Sequence, residues 1–143
     1  MKNIIISLSL LLLAALTAGT AIAADQNTEL ASGSLQAAFS SWGKPSITGN
    51  WKILQEGGRH YIELADNFKA KKGPDVKIFL SPTPAAEITG ANAVKGSVFV
   101  TLVADFEGRT RIEIPAGADV NQFQSLVFHC EAYTKLWGSS ALR

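Results

Sequence analysis

The chain has 143 residues, with 13 Lys and Arg against 12 Asp and Glu, two His, one Cys and one Met. This length suits a single domain, and the near-neutral balance argues against nucleic acid or an anionic membrane as a main partner, because both select a net positive face. One cysteine excludes a disulfide within the chain, so the core must hold the fold without a covalent staple.

The opening has the three parts of a secretory signal. Lys2 and the amino terminus supply positive charge, the run from Ile4 to Leu16 is apolar apart from Ser7 and Ser9, and small residues follow from Ala18 to Ala24. Cleavage is expected after Ala21-Ile22-Ala23. The apolar run is shorter than the roughly 20 residues a spanning helix needs, and no second long apolar stretch follows. No cysteine stands at the new N-terminus to carry a lipid. The expected product is exported, periplasmic or secreted, with no membrane span and equal numbers of acids and bases.

Residues 24–45 are small and polar and read as a linker or a short helix, with Leu30, Leu35, Phe39 and Trp42 as the apolar stripe of the latter. From residue 46 the pattern becomes that of short strands. Ile47, Gly49, Trp51 and Ile53 alternate with Thr48, Asn50 and Lys52, the period of a half-buried strand. Gly57-Gly58 turns the chain into a second strand, with His60, Ile62 and Leu64 on its inner face. Asp75 to Ser81 is a third, between Gly73-Pro74 and Pro82. Ser97 to Val103 is nearly continuous in β-formers, as for a strand covered on both sides. Thr110, Ile112 and Ile114 alternate in the next, Gln122 to Cys130 follows, and Ala132 to Trp137 is the last. About seven or eight short strands without a long helical pattern predict an all-β antiparallel sandwich or barrel-like domain over residues 46–143.

Three Cys and His residues fall short of the four ligands of a structural zinc site. His129 and Cys130 are neighbours on a strand, so their side chains leave opposite faces and cannot easily share a metal or form a thiolate–imidazolium pair. No Gly-x-Ser-x-Gly elbow, P-loop or dinucleotide fingerprint is present, and the carboxylates have no catalytic or calcium-loop spacing. The inventory leans away from an enzyme. The three lysines Lys69, Lys71 and Lys72 before a Gly-Pro turn read as a solvated loop. Cys130 is in phase with Leu126 and Phe128. It reads either as a small core hydrophobe or as a functional thiol, with Tyr133 and Trp137 close in sequence. His60 reads as an inward histidine beside that core.

Several segments taken in order resemble one known family. They are Ile47-Thr-Gly-Asn-Trp51, Tyr61-Ile-Glu-Leu-Ala-Asp-Asn-Phe68, Gly73-Pro-Asp-Val-Lys-Ile-Phe-Leu-Ser81, Ile112-Glu-Ile-Pro115, Ser125-Leu-Val-Phe-His-Cys-Glu-Ala-Tyr133 and Trp137-Gly-Ser-Ser-Ala-Leu142. Together they are similar to the DM-thirteen domain, an electron-transfer domain. The resemblance implies an extracytoplasmic β-sandwich whose single cysteine, here Cys130, acts in redox chemistry as a bare thiol or as ligand to a prosthetic group such as haem. It places Phe128, Tyr133, Trp137 and His60 as candidates for the surrounding pocket. The residue before the cysteine is often Trp in that family and is His129 here. Two readings follow: a redox or electron-transfer module centred on Cys130 with an extracytoplasmic redox partner, or a binding module without chemistry in which Cys130 belongs to the core.

Overall fold

A computed structural model describes residues 27–143; the signal expected at residues 1–23 lies outside them. In chain order the strands are β1 (Thr28–Ser34), β2 (Gln36–Ala37), β3 (Ser40–Ser41), β4 (Lys44–Pro45), β5 (Ile47–Thr48), β6 (Asn50–Glu56), β7 (Arg59–Leu64), β8 (Lys69–Ala70), β9 (Val76–Ser81), β10 (Val98–Leu102), β11 (Thr110–Glu113), β12 (Ser125–Cys130) and β13 (Lys135–Ala141). Eight of the thirteen have four residues or more, and these eight, with the short β2, build the two main sheets. The fold is all-β and antiparallel, as the short apolar runs predict. No helix among the described residues is long and apolar enough to cross a membrane.

Two sheets face each other. The first has the order β1-β6-β7-β11 and the second β10-β9-β12-β13-β2. The β6–β7 hairpin is set by Gly57 and Gly58, both at positive φ (56° and 76°) between the paired Glu56 and Arg59. This is the two-residue turn whose twist matches the strands it joins. Period-two alternation then puts Trp51, Ile53, Ile62 and Leu64 into the core, against Ile78, Leu80, Leu126, Phe128 and Cys130 of the second sheet. Outside the second sheet, the segment between β9 and β10 brings Ile88 and Ala93 over Phe79 and Val127 as a smaller apolar cluster. A strand between two such layers has no wet face, and all six residues of β12 are buried.

The structure corrects three expectations. Residues 28–45 form strands rather than a linker or helix: β1 edges the first sheet, β2 edges the second, and β3–β4 is a separate hairpin. Of the proposed helical stripe only Leu35 is buried, while Leu30 and Trp42 are exposed. The run at 97–103 is an edge strand, not a covered one. β10 pairs only with β9, and Phe99 and Leu102 are each 50% exposed. Apolar continuity reported β-propensity there, but two-sided burial needs a neighbour on each edge as well as a layer on each face. The last strand begins at Lys135, because Glu131–Tyr133 forms a single 3-10 turn that ends at Thr134 in left-handed conformation (φ 50°).

Candidate functional site

Cys130 is the last residue of β12, paired with Val76 of β9 and Lys135 of β13. Its exposure is 0%, and it lies in the main core with Phe128, Val76 and Trp137. The next four residues, Glu131 to Thr134, are all exposed, so the sulfur is one residue from a surface turn. That turn is tied down by charge. Lys77 Nζ donates to Glu131 Oε2 at 2.6 Å and lies 3.2 Å from Asp75 Oδ1, and the Ala132 amide donates to Asp75 Oδ2 at 3.0 Å. The hydrogen bond to Glu131, then that to Asp75, raises the Lys77 pKa above its ordinary value. Strand alternation explains the arrangement: Asp75 and Lys77 are two residues apart and share the outer face, while Val76 between them points into the core beside Cys130.

Two of the proposed pocket residues are in this core. Phe128 is fully buried, with its ring 5.8 Å from that of Phe68. Trp137 is the extra residue of a bulge, since Phe128 pairs with Gly138 and His129 with Leu136. A bulge re-aims its side chain. Here the indole turns toward the chain before β9, where its Nε1 donates to the Lys71 carbonyl at 2.8 Å and its ring meets Phe39 edge-on at 5.3 Å. A Cβ on Gly73 would stand 2.8 Å from Val76 and 2.9 Å from the Trp137 ring, so the chain before β9 packs closely on both. The following Gly138 lies against Gln36 and Ile47, and a Cβ there would overlap both.

The other two residues fall elsewhere. Tyr133 is 68% exposed on the turn. His60 is half-buried at the start of β7 in the first sheet, opposite Gln55. With Arg59, Glu113, Pro115 and Asp119 it lines a surface cavity of about 470 Å³ that does not include Cys130. Its phase with Ile62 and Leu64 was legible, but the strand leaves the core before reaching it.

His129 points away from Cys130, as alternation requires, into the outer cluster beside Phe79 (ring centroids 6.5 Å apart). A carbonyl can only accept, so the Nε2–H of the 2%-exposed ring donates to the Gly90 oxygen at 2.8 Å; its Nδ1 has no partner among the described residues. The ring therefore anchors the covering segment rather than serving the cysteine. Sequence reasoning missed this anchor and the Asp75–Lys77–Glu131 cluster. The i, i+2 spacing of Asp75 and Lys77 was the available signal for the latter; nothing local pointed to Gly90.

A haem held by Cys130 would need open space at the sulfur for a macrocycle. The residues present do not fit it: the side chain is fully enclosed at 0% exposure, and Val76 and Lys135 flank it in the sheet. The described residues hold no group of three His, Cys, Asp or Glu placed to bind a metal ion.

No curated protein and no solved structure matches the chain. The family model described as electron transfer DM13 matches residues 38–142, nearly the whole of the two-sheet domain and further toward the N-terminus than residue 46. The chain belongs to the electron-transfer DM13 family.

Proposed function

We propose that this is an exported electron-transfer module whose redox-active group is the Cys130 thiol, held shut in the resting fold and reached by opening of the 131–134 turn. One observation carries the reading. The only sulfur after Met1 is completely enclosed, yet the next four residues are exposed, and Asp75 and Lys77 tie down the turn they form. Local opening of such a corner requires far less than global unfolding. With a single cysteine, the balanced step is exchange: the Cys130 thiolate attacks a partner's disulfide, one partner sulfur becomes bonded to Cys130, and the other leaves as a thiolate. The enclosed state protects the thiol from adventitious oxidants, and a docking partner that pulls the turn aside gains access to it.

The test is a thiol titration with a coloured disulfide reagent, native and unfolded, followed across low denaturant concentrations. A gated thiol reacts in the native state at a rate that depends weakly on denaturant and rises when Lys77→Ala removes the clasp. Reaction that tracks global unfolding alone sinks this reading. It would leave the second one, a non-catalytic extracytoplasmic binding module in which Cys130 is core, which the 0% exposure favours. Retention of an unchanged redox response in Cys130→Ser would sink the thiol mechanism outright.

A further inference from the structure

The β3–β4 hairpin carries a feature that neither the core nor the cysteine explains. Trp42 and Gly43 form its two-residue loop at φ 54° and 69°, between the paired Ser41 and Lys44. The first position of this turn favours Asn, Asp or Gly, which adopt positive φ readily. Here it holds an indole that is 98% exposed. The other two tryptophans, Trp51 and Trp137, are 2% and 6% exposed. A residue that strains the turn and buries nothing contributes nothing to this fold, so its use lies outside the chain.

The surroundings are basic. Lys71 Nζ donates to the Ser41 carbonyl at the base of the hairpin, and Lys135 Nζ stands 3.8 Å above the ring of Phe39 just before it. Lys44 is in the hairpin itself and Lys72 follows Lys71. Among the described residues these four make no ion pair, whereas Lys69 nearby is matched by Glu107 at 3.8 Å. Formal neutrality of the whole chain is compatible with this, because charge is screened within about a Debye length and only local groups count.

We propose that the Trp42 hairpin docks the domain on an anionic lipid bilayer, with the indole in the headgroup region and Lys44, Lys71, Lys72 and Lys135 on the phosphates. An indole prefers a boundary where one end is apolar and the other wet. A single convex side chain covers no more than about 250 Å², well below the roughly 1,200 Å² of a specific protein interface, while a bilayer demands no shape complementarity. This goes beyond the thiol reading and does not depend on it, although docking would turn the Cys130 end of the sandwich toward the surface, since Cys130 pairs with Lys135.

The experiment is co-sedimentation of the processed protein with vesicles of phosphatidylcholine alone and of phosphatidylcholine with phosphatidylglycerol, read together with tryptophan emission. Binding to the mixed vesicles is expected, with a blue shift and loss of iodide quenching, because Trp42 is the exposed emitter. Trp42→Asn suits the turn and should keep the fold while weakening partitioning about tenfold or more. The variants Lys44→Ala and Lys72→Ala should each weaken it about fivefold and flatten its salt dependence. Absence of binding, equal binding to neutral vesicles, or undiminished binding by Trp42→Asn overturns the proposal. So does concentration-dependent self-association that Trp42→Asn abolishes, which would assign the hairpin to a second copy.

Discussion

The two sheets share one core but differ on their outer faces. On the first sheet that face is wet and held by charge: Lys52 and Arg109 meet Glu63 at 3.5 and 3.4 Å, Arg111 pairs with Glu56 and stacks on Tyr61, and Arg59 pairs with Glu113. On the second sheet the same position in the architecture is covered by the segment between β9 and β10, so Phe79, Val127 and His129 are buried. The difference shows what a third layer changes. It lets β12 bury both faces, with a histidine under the outer layer and a cysteine in the core between the sheets.

The largest expected effect tests what the sheets share. Phe128→Ala removes a fully buried ring that touches Phe68 across the core and should cost about 3–5 kcal/mol, read from the urea midpoint. The two faces of β12 come next. If the outer layer is as dry as the inner one, Val127→Thr and Cys130→Ser should each cost about 1–3 kcal/mol, because each places a hydroxyl where no partner awaits it. A near-neutral Val127→Thr would mean that water reaches under the covering segment, and the comparison would collapse to a two-layer sandwich. Trp42→Asn runs the other way. The hairpin lies along the chain's passage from the second sheet back to the first, and relieving its turn should stabilise the domain by about 1 kcal/mol or less, seen as a higher melting temperature.

How much of this was legible in the sequence depends on range. Gly57-Gly58 fixes a two-residue hairpin by local conformation alone, and the alternation through Ile53, Ile62 and Leu64 identifies the inner face of the first sheet. The placement of Leu126, Phe128 and Cys130 on one buried face followed from the same period. What failed depended on neighbours far along the chain. The runs at 97–103 and 125–130 are equally apolar, and only sheet order makes one an edge and the other a centre. Residues 28–45 lack apolar periodicity because β1 is an edge strand with a largely exposed face and β2 to β4 are two residues each. For the site, the phase of Cys130 was readable but its complete burial was not, since the core around it is assembled from both sheets, and the turn beside it is tied by Lys77 and Glu131, 54 positions apart.

The smallest effect sharpens the wet side of the comparison. Arg109 holds Asp66 through two hydrogen bonds, Nε to Oδ1 at 3.1 Å and Nη2 to Oδ2 at 2.9 Å, and these, followed by the charge attraction, lower the Asp66 pKa below its ordinary 3.8. A carboxyl whose folded pKa is depressed binds fewer protons folded than unfolded. Its contribution is therefore complete above the ordinary aspartate value and is lost as pH falls through the folded one. Asp66→Asn should lower stability slightly at neutral pH, and the gap from the parent chain should close on acidification below about 4. Added salt should narrow it as well, because the pair is exposed. Urea midpoints of the two chains at neutral and acid pH, each with and without salt, check all of this. A gap that persisted in acid would mean that Asp66 acts through packing or turn geometry, and the outer face of the first sheet would no longer be a purely electrostatic counterpart to the covered face of the second.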